Sequence, residues 1–472
     1  MEFIIGFFTA ISALGKTLMI PMMITIIALI IRVPFSKALK SGITVGIGLT
    51  GLTLTMSLVT TYVGPIINVM VEKFGLKLTY VDVGWTAVSG IAYSTVVGAF
   101  IIPFTLLINV IVLALKGTKT LNIDIWNYWK YALAGSLVYL LTDSLVASFL
   151  AATVYIVACL VIADRTAELV QEFFGIPGIS IPQGSAAGSV LICLLVEKVF
   201  NIFSSIFSRI FSRNKEKESV DWAAKINNNK VLQTINDPIY VGLAIGTFLA
   251  LLGGYNLKGA LEVGMYMAAL MFILPRMASI LMEGLTPISA AAKEFMGKKY
   301  KGQQFYIGMD SAIIIGHPTT LAVGLLSIPI LLVLALLPGN KLIPMAGLAT
   351  LAYFGVMATP IHKGKFFRTL VSQTVILTFC MYLGSYFAPL ITEHALNAGT
   401  AVPEGAGGIT SMSANVFEFL TYFLFKLGTI PGACISIAIV AVLIIWNRKY
   451  IAGKDNFTTQ EFVSAEASDY KK

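Results

Sequence analysis

The sequence predicts an all-α polytopic membrane protein with about ten or eleven transmembrane helices. Hydrophobic residues make up 57% of the 472 residues, charged residues only 12%, and the mean hydropathy is +0.84. A soluble core does not need that apolar share, whereas repeated membrane crossing does, since each helical span takes about 20 mostly apolar residues. The net charge of +9 comes from Lys and Arg between the apolar runs, so we expect anionic lipid, and no nucleic acid, as a partner.

Apolar runs follow one another along the chain, separated by short basic or polar turns. They cover residues 17–33, 41–62, 86–115, 131–163, 179–200, 238–254, 260–282, 305–337, 342–360, 368–391 and 416–446. The hydrophilic segment 205–232 is rich in Lys and Arg and is predicted to be a cytoplasmic loop. The polar tail 451–472 follows a basic stretch and is placed in the cytoplasm too, which leaves 1–450 as the membrane domain.

Two of these runs are too long for one simple crossing. Residues 86–115 and 305–337 both contain interior Gly, Ser, Thr and Pro. A helix as long as the second run would measure about 50 Å, well beyond the ~30 Å hydrocarbon core. We therefore predict in each run a re-entrant or broken segment followed by a full span, because irregular backbone at that depth is tolerated only inside protein or beside a water-filled cavity.

The two long runs occupy matching places in a diverged internal repeat, with copies at about 16–145 and 240–362. Asp82 in VDVGWTAVSG and Asp310 in GMDSAIIIGHP are 228 residues apart. Transporters are commonly built from such repeats, with the solute site near the midplane where interrupted helices meet. An odd number of crossings between the copies would invert one relative to the other.

Acidic residues inside membrane segments are costly, so each is a candidate for function. Asp82 and Asp310 introduce the two long runs, Asp143 lies inside the run 131–163, and Glu283 ends an apolar stretch. The paired repeat positions favour function for Asp82 and Asp310. For Asp143 and Glu283 a helix cap or an interfacial position is an equal alternative.

Other side chains could hydrogen-bond a polyhydroxylated solute. His317 shares a long run with Asp310, and Trp85 offers both an apolar face and an N–H donor. A satisfied structural histidine and an interfacial tryptophan are the alternatives. The remaining candidates of this kind are Thr142, Gln183, Ser185 and Thr359.

No motif points to a cofactor or to independent catalysis. The four cysteines are far apart and show no metal-ligand spacing, so a metal site is not expected. No Walker A, HExxH or GxSxG pattern occurs, which gives no support to nucleotide coupling or a standard hydrolase mechanism.

Several strings, taken together, resemble the galactitol-type enzyme IIC, the membrane permease of the bacterial phosphoenolpyruvate-dependent phosphotransferase system. They are VDVGW (81–85), LNIDIWN (121–127), GISIPQG (178–184), NLKGAL (256–261), LMEGLTPI (281–288), GQQFYIGMD (302–310) and IGH (315–317). The resemblance runs in the same order from about residue 15 to 450.

The resemblance implies a homodimer in the bacterial inner membrane, without a metal or nucleotide of its own. Such permeases bind a polyol or sugar outside, and the partner IIB, phosphorylated on a cysteine and recharged by IIA, phosphorylates it at the cytoplasmic face. The related ascorbate-type permease implies an elevator-like core that moves past a dimerising scaffold. The candidate solute-binding residues are then Asp82, Gly84, Trp85, Thr142, Asp143, Gln183, Asp310, His317 and Thr359.

The sequence departs from the resembled pattern at Gln183, where family members often have histidine in an IPHG string. The departure leaves galactose-like sugars and pentitols open beside galactitol. We also predict that Asp310, aided by His317, orients or deprotonates the hydroxyl that accepts the phosphoryl group. Two other function classes remain, an ion-coupled secondary transporter that uses Asp82 and Asp310 and an intramembrane enzyme that uses Asp310 and His317.

Overall fold

The structure, a computed structural model, describes residues 16–30, 32–58, 61, 79–210, 238–299, 305–397, 402 and 406–469. Most of the predicted cytoplasmic loop 205–232 therefore lies outside the described residues. The α-helices in the described ranges are α1 (Lys16–Ile30), α2 (Phe35–Leu58), α3 (Gly84–Tyr93), α4 (Val96–Ala114), α5 (Trp129–Thr142), α6 (Leu145–Phe174), α7 (Gly184–Ile210), α8 (Pro238–Leu252), α9 (Leu257–Lys299), α10 (Pro318–Leu334), α11 (Ala358–Ile361), α12 (Phe366–Asn397), α13 (Val416–Lys426) and α14 (Thr429–Asp469). Short 3₁₀-helices lie at Ile125–Tyr128, Ser311–Ile314 and Ala346–Tyr353.

Five helices in the described part of the chain are long and apolar enough to cross a membrane. They are Val96–Ala114 in α4, Leu145–Phe174 in α6, Gly184–Ile202 in α7, Phe366–Asn397 in α12 and Thr429–Gly453 in α14. On α14, the apolar side chains of Ile430 and Val442 are 77% and 63% exposed, as expected for a surface that meets lipid. A mostly helical chain with helices able to cross a membrane is confirmed, whereas the count of ten or eleven crossings stays a prediction.

The long apolar runs are each divided into several elements. In the run 86–115, α4 starts anew after α3, and the Thr95 hydroxyl caps it by accepting a hydrogen bond from Gly98 N at 2.9 Å. Gly98 is required there because a Cβ would collide with the backbone of α3. The run 305–337 contains a strand, a 3₁₀-helix and α10, and the run 342–360 contains a strand, a 3₁₀-helix and the single-turn α11.

Among the described residues, six short strands, which the all-α prediction does not include, form two three-stranded parallel sheets. The strands are β1 (Tyr80–Asp82), β2 (Thr120–Asn122), β3 (Ile179–Ser180), β4 (Tyr306–Gly308), β5 (Leu342–Ile343) and β6 (Gly408–Thr410). The strand orders are β5-β1-β6 and β2-β4-β3. These strands form because backbone N–H and C=O groups at an interrupted membrane helix have no water to bond. Pairing with a distant segment gives these groups hydrogen-bond partners.

Both sheets combine strands from the two halves of the chain in the same way. β1 pairs in parallel with β5 and β6, and β4 pairs in parallel with β2 and β3. Exchanging β1 with β4, β2 with β5 and β3 with β6 therefore converts the order of one sheet into that of the other. The long helices α6 and α12 also hold equivalent places, because each precedes the third strand of its half.

Helices α1, α2, α8 and α9 form a layer in which α9 packs against both α2 and α8. Small residues permit close approach, since a Cβ on Gly246 or Gly264 would collide with the facing helix. The other long helices pack around the two sheets and contribute most of the buried apolar core.

A buried carboxylate on α6 joins the β2 edge to the C-terminal spanning helix. Asp164 accepts hydrogen bonds from the Thr118 and Thr120 hydroxyls, both at 2.7 Å, and from Asn447 Nδ2 on α14 at 2.6 Å. The backbone N–H of Lys119 lies 3.2 Å from the same carboxylate. These four donors assign Asp164 a structural role.

Candidate functional site

A cavity lies where the segments that follow the six strands converge. Its lining residues are Trp85, Trp126, Asn127, Trp129, Gln183, Ser185, Asp310, Ala312, Thr350, Tyr353, Phe354 and Ser413. Of the nine candidate solute-binding residues, three are in this lining, and Ser185 joins them.

Every strand delivers at least one of these residues from just beyond its carboxyl end. Trp85 follows β1, Asn127 follows β2, Gln183 follows β3, Asp310 follows β4 and Ser413 follows β6. The 3₁₀-helix after β5 supplies the remaining wall through its last residues. In parallel sheets the crevice beyond the carboxyl ends is the usual place for a ligand, and here both sheets open on the same crevice.

Three tryptophans form one wall of the cavity. The Trp85 ring stacks near Trp129, with centroids 6.4 Å apart and planes 19° apart, and meets Trp126 edge-on at 6.2 Å. The indole nitrogens of Trp126 and Trp129 are buried and have no hydrogen-bond partner among the described residues. Buried indole N–H groups usually find an acceptor. The wall therefore presents apolar indole faces to a solute, with two unpaired indole N–H groups buried in the wall itself.

Asp310 supplies the only carboxylate among the described lining residues. Its Oδ1 accepts hydrogen bonds from Ala312 N at 3.0 Å and Ser311 Oγ at 3.3 Å, and its Oδ2 accepts one from Asn127 Nδ2 at 2.9 Å. Neither Lys nor Arg occurs in the described lining. The carboxylate is therefore a fixed hydrogen-bond acceptor that suits solute hydroxyls.

Gln183 contributes a donor, because α7 uses its acceptor. Its Oε1 accepts a hydrogen bond from Ala186 N at 2.6 Å, and the side chain is 7% exposed. With the carbonyl oxygen occupied at the helix N-terminus, the amide NH₂ is the group left for the cavity.

A buried ion pair lies directly behind the cavity wall. Lys130, which follows Trp129 on α5, donates to Glu418 Oε1 at 3.1 Å and also contacts the backbone oxygen of Ser413. Both charged side chains are 0% exposed, and Glu418 also lies 3.3 Å from the Tyr155 hydroxyl. The pair thus fixes the turn after β6, and with it Ser413, against α5.

Asp82 and Gly84 lie beside the cavity but outside its lining. Asp82 is buried, its Oδ1 accepts from Gly84 N at 3.0 Å, and its Oδ2 accepts from Gly347 N at 2.9 Å. Gly84 has φ +77°, a conformation that favours glycine, and a Cβ there would lie 3.0 Å from Ala346 Cβ. Both residues therefore shape the turn that presents Trp85, and their contact with a solute stays a prediction.

If Asp82 has a structural role only, Asp82→Asn lowers stability and leaves solute affinity unchanged. Both carboxylate oxygens accept from backbone N–H groups, so an amide would set its NH₂ against one of these donors and cost about 1–3 kcal/mol. Thermal unfolding and solute titration of the purified variant measure the two effects separately. A large loss of affinity with unchanged stability would instead place Asp82 in the solute site.

Three acidic or hydroxyl candidates lie away from the lining: Thr142 is half-buried, and Asp143 and Glu283 are exposed. The Thr142 hydroxyl donates to Val138 O at 2.8 Å, and Asp143 ends α5 with φ +49° and an exposed side chain. Glu283 is exposed on α9. A role for Thr142 and Asp143 in solute binding stays a prediction.

His317 and Thr359 have protein partners outside the lining. His317 caps α10 by accepting a hydrogen bond at Nδ1 from Thr319 N at 3.2 Å, and its ring lies 5.0 Å from that of Phe173. The buried Thr359 hydroxyl lies 2.7 Å from that of Thr320. The structure does not bring His317 to the cavity beside Asp310, so its help to that carboxylate also stays a prediction.

Sequence reasoning missed several lining residues. Trp126 and Asn127 lie in the string LNIDIWN, and three of the five tryptophans fall between Trp85 and Trp129, a clustering that could have indicated an aromatic wall. Ser413 and Tyr353 carry no comparable sequence signal, because only the distant strand pairing brings them to the cavity.

Known proteins are similar to this chain along most of its length. Residues 10–405 match the family EIIC-GAT, described as the PTS system sugar-specific permease component. A protein of Escherichia coli (strain K12) named provisionally as a permease IIC component is 39% identical over 444 residues, 94% of this chain and 99% of that protein. The galactitol-specific EIIC components of the PTS system in Escherichia coli K12 and O157:H7 are each 31% identical over 438 residues, 92% of this chain and 94% of each relative.

Membership in this family agrees with the membrane-spanning helices and with a cavity that offers indole faces, amides and one carboxylate. A IIC component is an integral inner-membrane protein that takes a sugar or polyol and works with IIB and IIA partners. The chain belongs to the sugar-specific permease (enzyme IIC) family of the phosphotransferase system.

Proposed function

We propose that this permease binds galactitol or a related polyol or sugar in the cavity lined by Trp85, Gln183 and Asp310. The observation that carries the proposal is the convergence of all six strand ends on one cavity that holds a carboxylate and no described Lys or Arg. A neutral solute cannot form an ion pair with the protein, so its recognition depends on directed hydrogen bonds.

The solute is proposed from the chemistry of the cavity and from the named relatives. Asp310 accepts from hydroxyls, the Gln183 amide donates to them, and the tryptophan faces suit the C–H side of a sugar or polyol chain. Two relatives carry names that specify galactitol, which supports a hexitol. Galactose-like sugars and pentitols belong in the same test panel, because Gln183 stands where histidine is frequent.

Asp310 is proposed to orient the hydroxyl that accepts the phosphoryl group and to take up its proton. The hydroxyl oxygen would attack the phosphorus of phosphocysteine on IIB, so that an O–P bond forms while the S–P bond breaks and the thiolate leaves. A positioned carboxylate within hydrogen-bond reach of the hydroxyl serves such a step as a general base. Transfer of the phosphoryl group then traps the solute without a coupling ion.

Translocation is proposed to follow an elevator-like motion of a core built from a diverged, inverted repeat with two re-entrant segments. The equivalent strand exchange in the two sheets supports the repeat, and it extends beyond the boundaries 16–145 and 240–362 because β3 and β6 take part. The layer of α1, α2, α8 and α9 is the proposed scaffold of a homodimer. These helices would also bring the number of crossings toward the ten or eleven expected.

The C-terminus is proposed to be cytoplasmic. Arg448 and Lys449 are exposed on α14 just beyond its most apolar stretch, as the positive-inside rule requires for a cytoplasmic end near anionic lipid. Cysteine labelling near residue 465 in intact and in opened cells would test this orientation.

Uptake by membrane vesicles tests the proposed function. With IIA, IIB and phosphoenolpyruvate present, we expect galactitol or another panel member to accumulate as its phosphate, and an uncoupler to have no effect. Accumulation that needs a proton or sodium gradient and ignores the phosphotransferase proteins would contradict the proposal and support an ion-coupled transporter.

Substitutions at Gln183 should separate donor from acceptor chemistry. We expect Gln183→His to keep affinity within about threefold, because one ring nitrogen can accept from Ala186 N while the other donates to the cavity. Gln183→Glu should weaken binding by about tenfold or more, because a carboxylate offers no donor and lies near Asp310. Solute titration measures both, and equal affinity of the two variants would contradict the donor role.

A further inference from the structure

Asn127 is held between two carboxylates at the wall of the cavity. Its Nδ2 donates to Asp310 Oδ2 at 2.9 Å and to both oxygens of Asp124, at 2.9 and 2.8 Å. An amide nitrogen carries two hydrogens, so one serves each carboxylate. The two aspartates thereby take the whole donor capacity of Asn127.

This arrangement fixes which way the Asn127 amide faces. Turning it over would bring its carbonyl oxygen against two carboxylates, which repel it, and would leave those carboxylates without their donor. The Asn127 Oδ1 must therefore point away from both, and none of the described residues donates a hydrogen bond to it. Because Asn127 lines the cavity, this oxygen is an acceptor held in one orientation.

Asp124 itself stands behind the wall and has no place in the lining. It is 6% exposed, it lies at the start of the 3₁₀-helix Ile125–Tyr128, and its carboxylate caps no backbone N–H there. The hydrogen bonds described for this carboxylate both come from Asn127. Its effect on the cavity must therefore pass through that amide.

Asp310 has one acceptor position left beside the fixed Asn127 oxygen. Each carboxylate oxygen can accept about two hydrogen bonds. The donors of Ser311 and Ala312 occupy Asp310 Oδ1, whereas Oδ2 accepts one hydrogen bond, from Asn127 Nδ2. Since the Asn127 amide contacts Asp310 directly, the two free acceptors are neighbours. Neighbouring acceptors match two hydroxyls on adjacent carbons.

We propose that Asp124 is a positioning residue that locks Asn127 so that Asn127 Oδ1 and Asp310 together accept a vicinal diol of the solute. Asn127 and Asp310 contact the solute, and Asp124 acts only through Asn127. The proposal rests on the proposed function, because it assigns a hydroxylated solute to the same cavity, and it names the part of that solute which is recognised.

The experiment measures discrimination between galactitol and its analogues that each lack one hydroxyl, using the full-length protein in detergent. In the unchanged protein, the two analogues that each lack one hydroxyl of the recognised adjacent pair should bind at least about tenfold more weakly than galactitol. In Asp124→Asn, Asn127 can turn over, so galactitol should bind about tenfold more weakly, and one of those two analogues should now bind as well as galactitol. If another member of the hexitol, pentitol and hexose panel binds best, its own deoxy analogues replace those of galactitol.

Two further variants keep the result interpretable. Asn127→Ala removes the acceptor itself and should abolish discrimination of the same hydroxyl, which gives a second test if Asp124→Asn does not fold. Asp164→Asn is the matched control, because it also removes a buried carboxylate that neighbouring donors hold, outside the cavity lining. It should lower stability and leave the ratio of galactitol to deoxy-analogue affinity unchanged.

The outcomes separate this inference from the proposed function. If the unchanged protein binds no member of the panel, the proposed solute class is wrong. If it binds a member and Asp124→Asn or Asn127→Ala keeps the full discrimination of both adjacent hydroxyls, the vicinal-diol inference is wrong. A loss of stability in Asp124→Asn with the discrimination ratio intact would show that Asp124 is structural only.

Discussion

Asp310→Asn is expected to weaken solute binding by about 10- to 100-fold and to bring phosphoenolpyruvate-dependent phosphorylation below detection. The substitution removes the charge that strengthens the hydrogen bond to a solute hydroxyl. It also creates a conflict, because both Asp310 oxygens accept from fixed donors, Ala312 N on one and Asn127 Nδ2 on the other. One of these donors would have to face the new NH₂ group, so the remaining acceptor could no longer keep its position.

Binding and phosphorylation must be measured separately for this variant. Solute-dependent thermal stabilisation of the purified protein gives affinity, and phosphate-ester formation in vesicles with IIA and IIB gives turnover. Asp164→Asn controls for the loss of a buried carboxylate as such, and it should change stability and leave affinity unaffected. If Asp310→Asn binds and phosphorylates the solute as the unchanged protein does, Asp310 has neither proposed role.

The fold class can be predicted from the sequence because membrane crossing requires long apolar segments. The two sheets cannot be predicted in this way, because they impose no such requirement on composition. Strands of two or three residues carry too few side chains for a periodic pattern. Their existence depends on partners far along the chain, as Tyr80 pairs with both Leu342 and Gly408. The convergence of all strand ends on one cavity therefore could not be predicted, although Trp85, Gln183 and Asp310 were each selected for their own chemistry.

Asp82 and Asp310 show that equivalent positions in a sequence repeat need not have equivalent roles in the structure. Their spacing of 228 residues suggests equivalence, yet Asp82 is the last residue of β1 and Asp310 lies two residues beyond the end of β4. Asp82 therefore bonds the backbone of its own and a neighbouring turn, while Asp310 lines the cavity. Asp124, the carboxylate that does face Asp310 through Asn127, follows β2, the strand that pairs with β4 in the same sheet, and the sequence did not single it out.

Lys130→Met is expected to destabilise the protein by about 3–5 kcal/mol, the usual cost of leaving a buried charge without its partner. Lys130 and Glu418 are 288 residues apart and both fully buried, so Glu418 would lose its charged partner and keep the Tyr155 hydroxyl and Asn415 N as described donors. Nothing in the sequence marks this pair, because a lysine beside WNYW looks like part of a polar turn. The lost contacts of Lys130 join α5 to the turn that carries Ser413, so we expect weaker packing at this part of the cavity wall.

A second substitution decides whether the buried charge is the cause. In Lys130→Met with Glu418→Gln, no charge remains buried, and the glutamine can still accept from Asn415 N, so most of the lost stability should return. Lys258→Met is the matched control, because Lys258 lies 4.0 Å from Glu262 at an exposed position on α9, where an ion pair contributes little. Chemical unfolding of the variants in the same detergent compares their free energies of unfolding.

If Lys130→Met alone is as stable as Lys258→Met, Glu418 is neutral in the folded protein and the ion pair does not hold the β6–α13 turn. If the double variant regains stability but binds the solute more weakly than the unchanged protein, Lys130 has a second role, because its contact with the Ser413 backbone oxygen remains missing.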